Sequence, residues 1–323
     1  QEYKPKFEQE RDLDHFSYAC GIALGRFHPD GGGIVNPQED NLDFALPHGY
    51  LFLNGTLSRE STQDSLGHSA CLRLHHEWSL RSKAIIEFHN NTYVKTSKGK
   101  LKPDLDLRSY LQRHFFVFHL ELYKKRPIYW PLTSKKNNFV VWIHIHRLEF
   151  SIFEKIKTEL ERALKELDMC LSSANKGDKI KLQTQFDELV DFTSTIQRCF
   201  TKGPDDRPEK QAQYKPELRD GVMVNSAPLY PLLEPQWNGK NTPKEWWIKL
   251  SEDGKKNFDW SQLSRRYFPT RIEQKCITDP SLALAHDCLW KYHPELAIKW
   301  ELHFQEEFGM EFVIEETNHE KYR

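Results

Sequence analysis

The sequence predicts an α+β protein: a mixed β/α lobe over 1–150, an antiparallel helical hairpin over 151–200 and a mainly helical C-terminal lobe over 201–323. Three observations carry this. Residues 128–145 cluster aromatic and β-branched types around a polar turn, as a strand pair does. Apolar residues then recur at three-to-four spacing across 151–200, the period of helices packed on one face. Beyond residue 220, proline repeatedly follows a residue that can cap a helix.

Taken in order, residues 13–60 read as short strands and turns. Asp30-Gly31-Gly32-Gly33 is a flexible turn that lacks the Gly-Lys-Ser/Thr of a phosphate-cradling loop. A helix is expected around 70–83, a strand over 84–88 (Ala-Ile-Ile-Glu-Phe) and a short helix from Asp106 to about Phe115. In the second strand of the hairpin, Phe139, Val141, Ile143 and Ile145 share one face. Val140, Trp142, His144 and His146 share the other. The first long helix places Ile152, Ile156, Leu160, Ala163, Leu167 and Leu171 on one stripe. The second does so with Leu182, Phe186, Leu189, Thr193 and Ile196. Between them Gly177 suits a helix C′ position and Asp178 an N-cap. Residues 201–220 read as a linker by composition. Thr242-Pro243-Lys244-Glu245 is a capping box, and Asp259 can cap Trp260–Tyr267. Asp279-Pro280 and His293-Pro294 start two more helices, the last ending at Gly309.

Composition bounds the function. The chain has 323 residues, which suggests about two domains at ~150 residues each. It is 29% charged and 13% aromatic, so it is polar yet able to fill cores, unlike a disordered polyelectrolyte. No run of ~18 apolar residues marks a membrane helix, and no membrane partner is expected. Gln1-Glu2-Tyr3-Lys4 lacks a signal-peptide stretch. The absence of an initiator Met leads us to expect a segment of a longer protein. The six cysteines, at 20, 71, 170, 199, 276 and 288, form no C-x-x-C pair. They read as reduced thiols of a cytoplasmic protein.

The net charge of −1 conceals an uneven distribution. Residues 1–80 carry 6 Lys and Arg against 12 Asp and Glu, residues 81–147 carry 14 against 4, and residues 148–323 carry 26 against 31. The middle stretch also holds eleven aromatics, from Phe88 to Trp142. Cations neutralise phosphates and planar rings can pack on sugars or bases, so this stretch points to a polyanion such as nucleic acid. The competing reading keeps the rings in the core and balances the cations with the acidic flanks. The sharpest local feature is Lys124-Lys125-Arg126-Pro127-Ile128-Tyr129-Trp130, three cations before a chain-extending proline and two aromatics. His144-x-His146 has the spacing of a metal pair but no third ligand nearby, so no metal is expected. His75-His76 point apart on a helix. No nucleophile elbow, zinc-protease helix or dinucleotide fingerprint occurs, and no catalytic residue is assigned. Glu306 to Glu320 read as a solvated acidic tail.

Several of these segments resemble one family. Lys125-Arg126-Pro127-Ile128-Tyr129-Trp130, the polar turn and Ile145-His146-Arg147-Leu148 resemble a segment of the PglX-like adenine-specific DNA methyltransferases. These belong to the BREX and phage-growth-limitation defence systems and are related to fused type II restriction–modification enzymes. Tyr18 to Phe27 (Tyr-Ala-Cys-Gly-Ile-Ala-Leu-Gly-Arg-Phe) resembles that family's YxxGxxxGR element. Asp220-Gly221-Val222-Met223-Val224-Asn225-Ser226-Ala227-Pro228-Leu229 resembles its DDGVxxNxAPL element. Phe258-Asp259-Trp260, Arg271 to Cys276 and Asp279 to His286 resemble its ending. The elements keep the family's order across about residues 16–300, with no recognised pattern in 28–105.

The resemblance implies a C-terminal, non-catalytic portion that recognises double-stranded DNA for a methyltransferase. The family's catalytic domain holds S-adenosylmethionine and an Asn-Pro-Pro-Tyr motif. This chain has none, since Asn36-Pro37-Gln38 fails to match. No cofactor is therefore expected here, and the implied partners are DNA, the catalytic domain and other defence subunits. On this reading Lys124, Lys125, Arg126, Lys135, Lys136 and Arg147 grip phosphates, while Asn137 and Asn138 read base edges. A second reading, of another class, is a protein-interaction module. An exposed apolar patch on the helical hairpin would favour it. A metal-dependent hydrolase built on His144 and His146 is a third.

Overall fold

The computed structural model describes residues 8–28, 34, 50–53, 68–92, 100–148, 150–205, 208–237, 239–252 and 258–308. The chain is mixed α and β and mainly helical, and it divides into two compact units. The first comprises Gln1–Phe200 with Pro231–Lys240, and the second Thr201–Tyr230 with Asn241–Arg323.

The first unit opens with helix α1 (Glu8–Ala23), where the sequence reading expected strands and turns. Leu13, Phe16, Cys20 and Ala23 bury one side of it, at helical spacing. Strand β1 (Tyr50–Leu53) follows, and then α2 (His68–Thr92). The strand expected at 84–88 lies inside α2. Ile85 and Ile86 favour strands in isolation, but both are buried here, and tertiary burial overrides that local preference. Phe16 of α1 meets Trp78 of α2 at 5.4 Å between ring centroids, and Arg81 pairs with Asp12 across the same seam.

Two short helices follow, α3 (Leu107–Arg113) and α4 (Phe115–Leu122). Asp106 caps α3 by accepting the Ser109 N–H at 2.9 Å. The predicted hairpin is β2 (Tyr129–Thr133) and β3 (Val140–His144), paired antiparallel with Tyr129 opposite His144 and Thr133 opposite Val140. The sheet order is β1-β3-β2, all antiparallel. Pro131 has no N–H to give a second neighbour, which suits β2 to an edge. Every residue of β2 and β3 is buried. Trp142 packs against Phe115 and Phe116 of α4, at 5.4 and 5.9 Å.

The helical hairpin is α5 (Phe150–Ser173) and α6 (Lys176–Thr201). Phe153 near its start stacks on Phe200 near its end at 4.9 Å, so the arms run antiparallel. The cap differs from expectation. Asn175 accepts the Asp178 N–H at 3.0 Å, which places Asp178 and Gly177 inside α6 rather than before it. A side-chain oxygen three residues ahead of an N–H is the N-cap geometry, and Asn175 holds that place.

The second unit contains α7 (Val222–Ser226), and α8 (Tyr230–Leu233) begins at its edge. There follow α9 (Pro243–Ser251), α10 (Gln262–Tyr267), α11 (Pro269–Thr278), α12 (Pro280–Ala285), α13 (Leu289–Tyr292) and α14 (Pro294–Phe308). One core joins Val224, Ala227, Trp247, Leu250, Leu263 and Tyr267. A second joins Ile272, Cys276, Leu282, Ala283, Leu289 and Ala297. Thr242 and Asp279 cap α9 and α12 as the sequence predicts. Residues 201–220 are not a solvated linker. Lys210 and Tyr214 are buried, and the Tyr214 hydroxyl donates to the Asn225 carbonyl at 3.0 Å. The stretch Gly309–Arg323 and the turn Asp30–Gly33 lie outside the described residues.

Gly21 carries the tightest approach in the first unit. A Cβ there would stand 2.6 Å from the Phe27 ring and 2.8 Å from the Tyr129 hydroxyl. Gly21→Ala is therefore expected to cost about 1–3 kcal/mol by overpacking, read as a lower urea midpoint with an unchanged m-value.

Candidate nucleic-acid interface

The hairpin separates the predicted DNA-contacting residues into two groups. Five residues of β2 at ~3.3 Å each put about 17 Å of strand between its ends. At one end is the turn Ser134 to Asn138. At the other are Lys124, Lys125 and Arg126, with Arg147 beside them because the Ile145 N–H donates to the Ile128 carbonyl at 3.0 Å.

The turn is held from outside the sheet. Glu188 of α6 is buried and accepts three hydrogen bonds: from the Ser134 hydroxyl at 2.6 Å, the Lys136 N–H at 2.9 Å and the Asn138 side-chain amide at 2.6 Å. Lys135 pairs with Asp191, one turn further along α6, at 3.0 Å. Both partners are well exposed, so the pair contributes little stability, in the range of ~0–1 kcal/mol. Asn137 has φ 59°, and its carbonyl accepts from the Gln112 side chain. The Asn137 side-chain oxygen is buried with no partner in the fold. The Asn138 side-chain amide is thus engaged with the protein, whereas Lys135 and Lys136 are exposed.

At the opposite end, Lys124 and Lys125 adopt φ 49° and 65°, and the Lys125 N–H closes α4 on the Leu120 carbonyl at 2.6 Å. This backbone reversal leaves Lys124, Lys125 and Arg126 exposed. Among the described residues, no ion pair joins any of the three. Arg147 is half-buried and donates to the Gly25 carbonyl at 3.0 Å.

Eight of the eleven aromatics of the basic stretch face inward. Tyr110, Phe115, Phe116, Phe118, Tyr129, Trp130, Phe139 and Trp142 are all buried. Their role is the core of this unit rather than stacking on bases. Lys124, Lys125, Arg126, Lys135 and Lys136 remain exposed, and Arg147 is half-buried.

A polar cluster lies under the same end as Lys124–Arg126, and of its members the sequence reading weighed only His144 and His146, as a metal pair. Arg26 follows α1, hydrogen-bonds the Tyr123 hydroxyl and lies 4.7 Å from the Phe27 ring centroid. His119 stacks on Tyr129 at 4.6 Å and accepts the Tyr129 N–H at Nε2, 3.1 Å away. The His144 ring lies 5.4 Å from Tyr129 and 5.5 Å from His146. Burial, with Arg26 and His144 nearby, pushes His119 down to about 3. Burial, with His146 and Arg26, does the same to His144, also to about 3. Both rings are therefore neutral at pH 7. Among the described residues no third His, Cys, Asp or Glu joins His144 and His146 as a metal set.

In the second unit, the motif residues hold backbone. Asp220 accepts the N–H groups of Gln262 and Leu263, at 3.0 and 2.9 Å, and so caps α10 from a distance. Asn225 bonds the N–H and carbonyl of Glu217 at 2.7 and 2.6 Å. Asp259 does not cap α10, because Ser261 does so at 3.0 Å from the Ser264 N–H. Asp259 instead pairs with Arg271 at 3.0 Å and with Lys275. The His286 ring bonds the Asp259 carbonyl at 2.6 Å.

No family model matches the chain. The chain is homologous to the adenine-specific methyltransferase BrxX of Escherichia coli O9:H4 (strain HS), at 26% identity over 235 residues, which is 65% of this chain and 19% of that protein. It is likewise similar to the adenine-specific methyltransferase PglX of Lacticaseibacillus casei (strain Zhang), at 29% identity over 240 residues, 67% of this chain and 19% of that protein. The matched part spans about a fifth of the length of these curated relatives. Among the described residues no helix is long and apolar enough to cross a membrane.

Proposed function

We propose that this homologue of the adenine-specific methyltransferases recognises double-stranded DNA for such an enzyme, as a non-catalytic portion of a cytoplasmic phage-defence methyltransferase. The observation that carries the reading is the sorting of the basic stretch: eight of its rings enter the core, while Lys124, Lys125, Arg126, Lys135 and Lys136 stay exposed. Lys124, Lys125 and Arg126 have no acidic partner among the described residues, so their charge is available to phosphates. Lys136 supplies a further contact at the other end of the hairpin, and Lys135 shares its charge with Asp191.

Catalysis belongs to another domain on this reading. The described strands form one antiparallel sheet. That sheet lacks the crevice at the carboxyl ends of parallel strands where nucleotide cofactors bind. S-adenosylmethionine is held by that other domain on this reading, and no chemical step is assigned to this chain.

Replacing Lys124, Lys125 and Arg126 together by alanine is expected to weaken binding to all duplexes alike. The log–log salt slope should flatten by roughly 2–3 units, at about 0.9 per phosphate contact. An unchanged slope would remove this end of the hairpin from the interface.

One observation favours the second reading, docking of a protein subunit. At the tip of the helical hairpin Met169 is 64% and Ile180 77% exposed. Met169→Asp with Ile180→Asp should break association with the methyltransferase domain under that reading and leave duplex affinity intact.

A further inference from the structure

Arg26 is a half-buried cation, and among the described residues it has no carboxylate partner. Its neighbours are phenols, a phenyl ring and imidazoles: it bonds the Tyr123 hydroxyl and lies 5.6 Å from that ring and 4.7 Å from Phe27. A charge withdrawn from water without a counter-ion is costly, and the usual compensation is an anion. A second, independent observation points the same way. His119 is wholly buried, and its Nε2 accepts the Tyr129 N–H. The neutral ring therefore carries its proton on Nδ1, where no atom of the fold accepts it. The Tyr129 hydroxyl oxygen faces the Arg26 guanidinium and is buried, and no group of the fold accepts its proton; His144 Nδ1 is likewise buried without a partner. Buried donors without acceptors are rare, and two beside a guanidinium that has no carboxylate partner among the described residues describe a site for an acceptor. His146 is exposed, and Arg26 and Tyr123 are half-buried, so the cluster opens to solvent on the side of Lys124–Arg126.

We infer that Arg26, His119 and Tyr129, with Tyr123 and the His144–His146 pair around them, form a binding site for a phosphate-class oxyanion. The planar guanidinium fork matches two phosphate oxygens, and a phenol and an imidazole N–H can serve the others. The source is either a backbone phosphate of the duplex, which rests on the DNA-recognition reading, or a free phosphate group, which does not.

The probe is inorganic phosphate, titrated against chloride at equal ionic strength, with the unfolding midpoint of the chain as readout. Duplex affinity is measured in parallel for the wild type and Arg26→Gln. Phosphate should raise the wild-type midpoint beyond chloride and leave that of Arg26→Gln unmoved. A loss of duplex affinity of about tenfold or more in Arg26→Gln identifies the duplex as the source. Unchanged duplex affinity, or no duplex binding by the wild type, alongside a phosphate response identifies a free phosphate group. The second of these sinks the DNA reading and leaves the site standing. If Arg26→Gln does not fold, Arg26→Lys keeps the charge without the fork and should weaken phosphate binding by about fivefold or more. A wild type indifferent to phosphate, or a variant that responds as the wild type does, overturns the inference.

Discussion

Glu188→Ala is expected to lower the unfolding free energy of the first unit by about 3 kcal/mol, the largest single effect among the surface-proximal residues of the hairpin. Glu188 accepts from the Ser134 hydroxyl, the Lys136 N–H and the Asn138 amide. Hydrogen bonds to a charged acceptor contribute about 1.5–3 kcal/mol each, and water entering the emptied space restores part of that. Alanine leaves three donors facing a gap under a turn that contains two lysines. Trypsin should then cut after Lys135 or Lys136 in the folded variant and not in the wild type. Glu188→Gln keeps the shape and one accepting oxygen, and should lose about half as much. A change below about 1 kcal/mol, with the turn still resistant to trypsin, would show that the sheet alone shapes the turn.

Acidification is the second large effect. His89, His119 and His144 are held low by burial, to about 4, about 3 and about 3. In the unfolded chain each returns to about 6.5. Between pH 6.5 and pH 4 the unfolded state therefore binds up to three more protons than the folded one. Stability from these groups is fully present above pH 6.5 and is lost as pH falls through that window. Each proton contributes a slope of about 1.4 kcal/mol per pH unit, so lowering pH from 7 to 5 should cost on the order of 5 kcal/mol in all. Urea midpoints at the two pH values measure it. His119→Gln should flatten the slope by about one proton, while its amide oxygen can still accept the Tyr129 N–H. Equal midpoints at pH 7 and pH 5 would mean that these rings do not stay neutral in the folded state.

Much of the fold is legible where a local rule and the tertiary environment agree. The β2–β3 pair follows from Tyr129, Trp130 and the run Val140 to His144, and Thr242 and Asp279 cap the helices they precede. The readings fail where packing overrides local preference. Helix α1 contains Gly21 and is joined to Gly25-Arg26, features that read as turns, and only burial against α2 makes it helical. Ile85 and Ile86 are carried into a helix by the same contact. The cap exchanges, Asn175 for Asp178 and Ser261 for Asp259, are shifts of two or three residues, within the reach of any short polar side chain.

The site was legible only in part. The exposed lysines and Arg126 could be singled out because a run of cations before proline has nowhere to go but the surface. The clamp by Glu188 could not, because it joins residues 50 positions or more apart. The Arg26 cluster joins three segments, around 26, 119–129 and 144–146, that each carry part of a resemblance and that only the fold brings together.

The proposed grip on DNA runs through the cations that the fold keeps on the surface. A salt titration of binding to a random-sequence duplex, with heparin as competitor, tests it most directly. Submicromolar binding is expected at low salt (about 50 mM), with an affinity that falls steeply and linearly on a log–log plot. No binding at that salt, or binding indifferent to salt, would contradict it and give precedence to the docking of a protein partner.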